Sequence, residues 1–183
     1  MSLPEQRQKE KEKYESLLTT RPSYGTTNHG KGASEMVLDF IGDSEAVVVD
    51  CGCGDNSFIA NISSDKIQGI GVDFVNPKAD LIEPMHQISL EDNTADVVTS
   101  FDALEHLLPE EVEDVFKELK RIGKDGGMCI FSISYVPSLL TSLGEGLHPT
   151  VRDKIWWTER ISQHCHNVTS AGKFLKAEWS KQV

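Results

Sequence analysis

Residues 46–57 read Ala46-Val47-Val48-Val49-Asp50-Cys51-Gly52-Cys53-Gly54-Asp55-Asn56-Ser57. Three consecutive valines without polar alternation predict a strand buried on both faces. An acid ends the run, and Gly52 and Gly54 follow at alternate positions. Such a turn has no side chains in the way, so backbone N–H groups can approach a ligand closely. A dinucleotide fingerprint, G-x-G-x-x-G, would need a third glycine where this chain has Ser57. Asp50 at the strand tip favours a ligand carrying positive charge and disfavours a pyrophosphate.

Three further segments repeat the pattern of a short apolar strand with chemistry at its end. Ile70-Gly71-Val72-Asp73 places an acid 23 residues after Asp50, near the offset at which an acid takes ribose hydroxyls in nucleotide-binding α/β units. Ala95 to His106 reads ADVVTSFDALEH, a strand running into a short turn. Gly126-Gly127-Met128-Cys129-Ile130-Phe131-Ser132 is a glycine pair leading into another strand. In this order, over residues 46–132, the four segments resemble the successive motifs of the class I S-adenosylmethionine (SAM)-dependent methyltransferases. The resemblance implies an α/β fold: a doubly wound, seven-stranded, mostly parallel sheet with helices on both faces. Its seventh strand lies antiparallel between the fifth and sixth. The implied activity is methyl transfer from SAM. The resemblance also assigns the cofactor-binding residues. Gly52 and Gly54 pass the methionine end, Asp50 supports that end electrostatically, and Asp73 takes the ribose. Met85 and His86 flank the adenine, with Phe101 at the end of the fourth strand. Two positions depart from the family pattern: Pro84 stands where an acid is common, and Asn56 where a third glycine is common.

The rest of the chain reads as a single domain over 1–183. At this length a chain buries about 70% of its unfolded surface and needs no staples. A net charge of −11 argues against a long nucleic acid as partner, which requires a basic stripe. The polar N-terminus and the lack of any span-length apolar run predict a cytoplasmic protein without membrane contact. The four cysteines include the pair Cys51 and Cys53 inside the glycine turn. That spacing is poor for a zinc site and suits small packing residues beside a ligand. An amphipathic helix is expected over 5–18, with Tyr14, Leu17 and Leu18 inward, then a Thr/Pro/Gly/Asn loop to Gly32. Residues 1–32 thus form an N-terminal helix and a possible lid. The third strand is short, near Ala79 to Ile82, and lacks a following helix. After the fifth strand, at 127–133, a substrate loop occupies 134–149. A last helix is expected from Pro149 to Ser162, then strands at 165–169 and 174–179.

Methyl transfer asks the protein for position, dryness and, at a hydroxyl or ammonium acceptor, a group to take a proton. The catalytic candidates are His148, His106 and Asp102, with His29 as a further candidate base and Tyr24 as polar lining. Asp102, Glu105 and His106 form D-x-x-E-H, which on a helical turn would face one side. The set resembles a divalent-cation site in composition, but the expectation is metal-free. Trp156 or Trp157 is a candidate aromatic wall, and the 100° between adjacent helix positions puts the other in the core. The expected partner is a small-molecule acceptor, methylated at oxygen or nitrogen. The alternatives are a SAM-binding protein without methyl transfer, or a methyltransferase of nucleotides or RNA ends.

Overall fold

The computed structural model describes residues 1–181. Its seven-stranded sheet contains β1 (Ala46–Cys51), β2 (Ile67–Asp73), β3 (Leu81–Ile82), β4 (Ala95–Phe101), β5 (Gly123–Ser132), β8 (Cys165–Ala171) and β9 (Phe174–Trp179). The spatial order is β3-β2-β1-β4-β5-β9-β8. All neighbours are parallel except those of β9, which is antiparallel to both β5 and β8. This is the expected fold, and the inserted antiparallel strand is where the motif order placed it.

The valine run behaves as its lack of alternation predicts. Val49 and Cys51 pack into one core with α4 (Val112–Ile122) and α5 (Lys154–Ser162). Ala46 and Val48 pack into the other with α2 (Ser34–Ile41) and α3 (Ser57–Ile62). The apolar stripe of α4, Val112, Val115, Phe116, Leu119 and Ile122, is buried throughout. A third, smaller cluster joins Tyr14 and Leu17 of α1 (Leu3–Thr20) to Leu147, Tyr24, Phe74 and Val75. It lies over the carboxyl ends of the strands and roofs the site.

Several boundaries differ from the sequence reading. The last helix begins at Lys154, not Pro149, because Asp153 is its cap and accepts the Trp156 N–H at 2.8 Å. Residues 149–153 instead tie Thr150 to the turn after β4: its N–H donates to Glu105 O and its hydroxyl to Leu107 O. The 134–149 loop contains a two-stranded ribbon, β6 (Thr141–Ser142) with β7 (Glu145–Gly146). The final hairpin turns at Gly172-Lys173, since β8 runs on to Ala171 rather than ending at 169. The third strand is two residues long and no helix follows it, as expected. Replacing the cap, Asp153→Ala, should cost about 1 kcal/mol of stability in urea denaturation and leave cofactor affinity unchanged.

Candidate active site

The strand ends open into one cleft of about 720 Å³, lined by Asp50, Gly52, Gly54, Asp73, Met85, His86, Phe101, Asp102, His106 and His148. Every cofactor and catalytic candidate in the sequence therefore lies in one cavity. The cleft is large enough for a nucleoside cofactor and a small second ligand.

The glycine turn is built for close approach. Gly52 and Gly54 both have positive φ, 80° and 55°. A Cβ on Gly52 would lie 2.4 Å from the Ala103 Cβ and 2.9 Å from the Met85 Cε. A Cβ on Gly54 would lie 2.4 Å from the Gly25 carbonyl oxygen. Asn56, in the place of the usual third glycine, adopts the left-handed φ of 67° that its type tolerates. Its amide donates to Asp80 at 2.9 Å. Burial pushes the Cys51 and Cys53 thiols up, so both are neutral packing groups.

The two strand-end acids differ. Register pairs Asp50 with Thr99, whose hydroxyl donates to Asp50 Oδ1 at 2.7 Å. Burial drives the Asp50 carboxyl up to about 7, with Thr99 opposing and Asp73 adding repulsion. Asp73 already accepts the N–H groups of Val75 (3.0 Å), Asn76 (2.9 Å) and Gly54 (3.2 Å). A carboxylate offers about four acceptor sites, so the long Gly54 contact is the one a ligand hydroxyl would displace most readily. Met85 sits against Gly52. His86 lies 3.8 Å from Glu111, and burial together with Arg7 lowers its pKa. Phe101 stacks edgewise on Phe58 and Phe174.

The acceptor side is walled by the turn Ala103–His106 and the 134–149 loop. Asp102 has φ 50°, which takes it off the helical path; only Leu104–His106 forms a 3₁₀ turn. Its carboxylate is 2.5 Å from His29 Nδ1 and accepts the Ser132 hydroxyl at 2.8 Å. Burial opposes its ionisation, but these bonds outweigh it and hold its pKa below the ordinary value. The one-sided D-x-x-E-H arrangement is thus not formed. Glu105, His106 and His148 meet instead. Burial drives Glu105 up to about 7 and His106 down to about 4. His148 packs edgewise on His106, ring centres 4.7 Å apart. Trp157 is buried in the core. The Arg152 and Arg160 guanidiniums each lie over the Trp156 ring, and neither tryptophan is among the cleft residues, so the aromatic-wall expectation is not met.

Sequence reasoning gave residues 1–32 as a helix and possible lid but missed the contacts Tyr14 makes there. The Tyr14 hydroxyl lies 2.6 Å from His106 Nδ1 and donates to Leu147 O at 2.8 Å. Tyr14, Tyr24 and Phe74 form an aromatic cluster beside it. The loop after α1 is docked rather than open: Asp55 N–H donates to Gly25 O, and Lys173 donates to His29 O at 3.0 Å. The helical spacing of Tyr14 and Leu17 was the available signal, but it marks a buried face without naming its partner.

Comparison with known proteins agrees with this geometry. Residues 49–131 match the methyltransferase domain family. No curated protein sequence matches the chain. Among solved structures, a Burkholderia thailandensis 1,6-didemethyltoxoflavin-N1-methyltransferase, with 1,6-didemethyltoxoflavin and S-adenosylhomocysteine bound, is similar at TM-score 0.76 and 15% identity. The likeness covers 99% of this chain and 92% of that one. A Listeria monocytogenes protein assigned as a SAM-dependent methyltransferase is similar at TM-score 0.58 and 16% identity, over 84% of this chain and 98% of that one. The [4+2]-cyclase SpnF is similar at TM-score 0.56 and 15% identity, over 72% of this chain and 55% of that one. No described helix is long and apolar enough to cross a membrane. The family match over residues 49–131, joined to the sheet order and the glycine-lined cleft, shows that this chain carries a methyltransferase domain in a Rossmann-like fold.

Proposed function

We propose that this enzyme methylates an oxygen or nitrogen of a small molecule held between the cofactor and the Glu105–His106–His148 wall. The observation that carries the reading is enclosure. The polar wall shares one cleft with the glycine turn, and α1 and its loop cover it. The cavity volume is in the range of small-molecule sites. The net charge of −11 disfavours a nucleic-acid chain. The Burkholderia neighbour, bound to a small heterocycle that it methylates at nitrogen, is in keeping with this at the level of fold.

On this reading the chain's residues divide the work. Bound SAM supplies a sulfonium methyl group already activated for in-line displacement. Asp50 balances its positive end, and Gly52 and Gly54 let the backbone approach it. Asp73 takes the ribose hydroxyls, and Met85, His86 and Phe101 pack about the base and the methyl donor. Asp102, tied to His29 and Ser132, holds the lid loop against the site. His148 and His106 face the acceptor. With the His106 pKa at about 4, its ring is neutral at physiological pH and serves as a hydrogen-bond partner. His148 is the better-placed proton acceptor.

The test is release of S-adenosylhomocysteine across a panel of small hydroxyl and amine acceptors, with nucleotides and a short RNA as separate arms. Turnover on a small molecule supports the proposal; turnover confined to the RNA arm moves the function to RNA ends. Cofactor binding without transfer to any arm favours a binding protein. With a working acceptor, His148→Ala should lower turnover about tenfold. Its SAM affinity should move by less than about 0.5 kcal/mol, the scatter of an uninvolved side chain.

A further inference from the structure

Glu105, His106 and His148 each offer one ligand atom, and the three atoms lie within 4.8 Å of one another. Two come from the turn after β4 and the third from the loop after β7. Glu105 is only 1% exposed. Its Oε1 accepts the Ser134 N–H at 2.9 Å, whereas its Oε2 is buried without a hydrogen-bond partner among the described residues. An orphaned buried carboxylate oxygen is costly and calls for an explanation. The imidazoles beside it are oriented alike. His148 Nδ1 lies 2.7 Å from Val136 O, and His106 Nδ1 lies 2.7 Å from Leu147 O. A carbonyl oxygen only accepts, and the Tyr14 hydroxyl beside His106 Nδ1 gives its proton to Leu147 O, so each Nδ1 carries the proton and each Nε2 is left with the lone pair. Backbone carbonyls that fix the tautomer in this way are the usual outer partners of metal-binding histidines.

We propose that Glu105, His106 and His148 bind a divalent transition-metal ion whose open positions face the methyl acceptor. Two imidazoles and one carboxylate suit Zn²⁺, Fe²⁺, Co²⁺ or Mn²⁺. Mg²⁺ and Ca²⁺ prefer shells of oxygen. Metal–nitrogen bonds of about 2.0–2.1 Å put neighbouring ligands about 3.4 Å apart in a tetrahedral shell. The three donors must therefore close by roughly an ångström. The loop carrying His148 has Gly144 and Gly146 just before it, which permit that shift. Asp102 is not a ligand, because His29 and Ser132 already occupy it. A cation here lowers the pKa of an acceptor hydroxyl bound to it, so the proton leaves to water and neither histidine need carry it. The acceptor class then narrows to molecules presenting an oxygen ligand. That narrowing rests on the acceptor side proposed above; the metal site itself does not.

The experiment is a Co²⁺ titration of the metal-stripped, cofactor-free full chain near neutral pH, read by the visible absorption of bound Co²⁺. SAM affinity is measured by calorimetry on the same samples. One Co²⁺ per chain is expected, displaced by Zn²⁺ and not by excess Mg²⁺. Glu105→Gln, which keeps the acceptor for Ser134, and His148→Ala should each weaken Co²⁺ at least about tenfold. His166→Ala, an exposed histidine on β8, should leave it unchanged. Absence of saturable Co²⁺ binding, or His148→Ala binding like the wild type, overturns the proposal. If SAM still binds in either case, the cofactor reading stands alone; if SAM binding is also absent, that reading fails separately.

Discussion

Asp50→Asn should make the cofactor-free enzyme more stable at pH 8 and, at the same pH, poorer at binding SAM. The buried carboxyl has its pKa driven up to about 7, against about 3.9 in an unfolded chain. Between those values the folded state keeps a proton that the unfolded state has lost. The native state is thus favoured at low pH, and this contribution disappears as pH rises through 7. Glu105, also driven up to about 7, acts in the same direction. An amide at position 50 removes the cost and can still accept the Thr99 hydroxyl. The expected gain at pH 8 is about 2–4 kcal/mol, or roughly 5–15 °C in melting temperature for a chain of this size. Binding runs the other way. A cationic ligand requires the ionised carboxylate, so wild-type affinity should strengthen as pH rises from 6 to 8. The amide should lose about 2–3 kcal/mol of binding, the scale of a charge-assisted contact, together with most of the pH dependence. Thermal unfolding and calorimetry at both pH values check this. Equal affinity of variant and wild type, or wild-type affinity that falls with pH, would remove Asp50 from the cofactor site.

The fold was legible because its signals are local. Val47–Val49, with an acid and two glycines directly after them, specify strand, tip and turn within a dozen residues. The later motifs repeat the device at family spacing, and the short Leu81–Ile82 strand follows from a segment with two prolines and little periodicity. The failures are equally specific. Asp102, Glu105 and His106 were read on a helical turn, but Asp102 takes a φ of 50°, which breaks the i, i+3, i+4 relation. Pro149 was read as a first helical residue, while Asp153, an ordinary N-cap type, lay four residues on and fixed the start. The β6–β7 ribbon turns through Leu143 and Gly144, both at positive φ, and leucine is not a residue from which such a turn is read. The roof depends on contacts spanning much of the chain, Tyr14 with His106 and Leu147. Periodicity identifies a face that will be buried; it carries no information about what will bury it. His148, His106 and Glu105 can each be named from the sequence, but that the three meet emerges only from the tertiary structure.

Gly54→Ala should abolish cofactor binding through a single added methyl group, and Gly126→Ala supplies the control. Both glycines have positive φ, 55° and 72°, so both substitutions carry a backbone cost of about 1 kcal/mol. They differ in what the new Cβ meets. At Gly126 no atom of the described residues lies within 4 Å; at Gly54 the Gly25 carbonyl oxygen lies at 2.4 Å. That oxygen also accepts the Asp55 N–H at 2.9 Å, so it cannot retreat without freeing the loop from the glycine turn. The loop continues to His29, which holds Asp102, and to Gly30, packed against Phe101. One methyl group therefore obstructs the backbone's approach to the cofactor and undocks the cover above it. Gly54→Ala should lose more than about 100-fold in SAM affinity, about 2.7 kcal/mol. Limited proteolysis should then cut within residues 19–32, a segment protected in the wild type. Gly126→Ala should show a small loss of melting temperature, unchanged SAM affinity and the wild-type cleavage pattern. If the two variants bind SAM equally well, the strain at positive φ is the whole effect, and the Gly52–Gly54 turn is not where the cofactor sits. If Gly54→Ala loses affinity without new cleavage, the turn contacts the cofactor directly and the loop above it is not its lid.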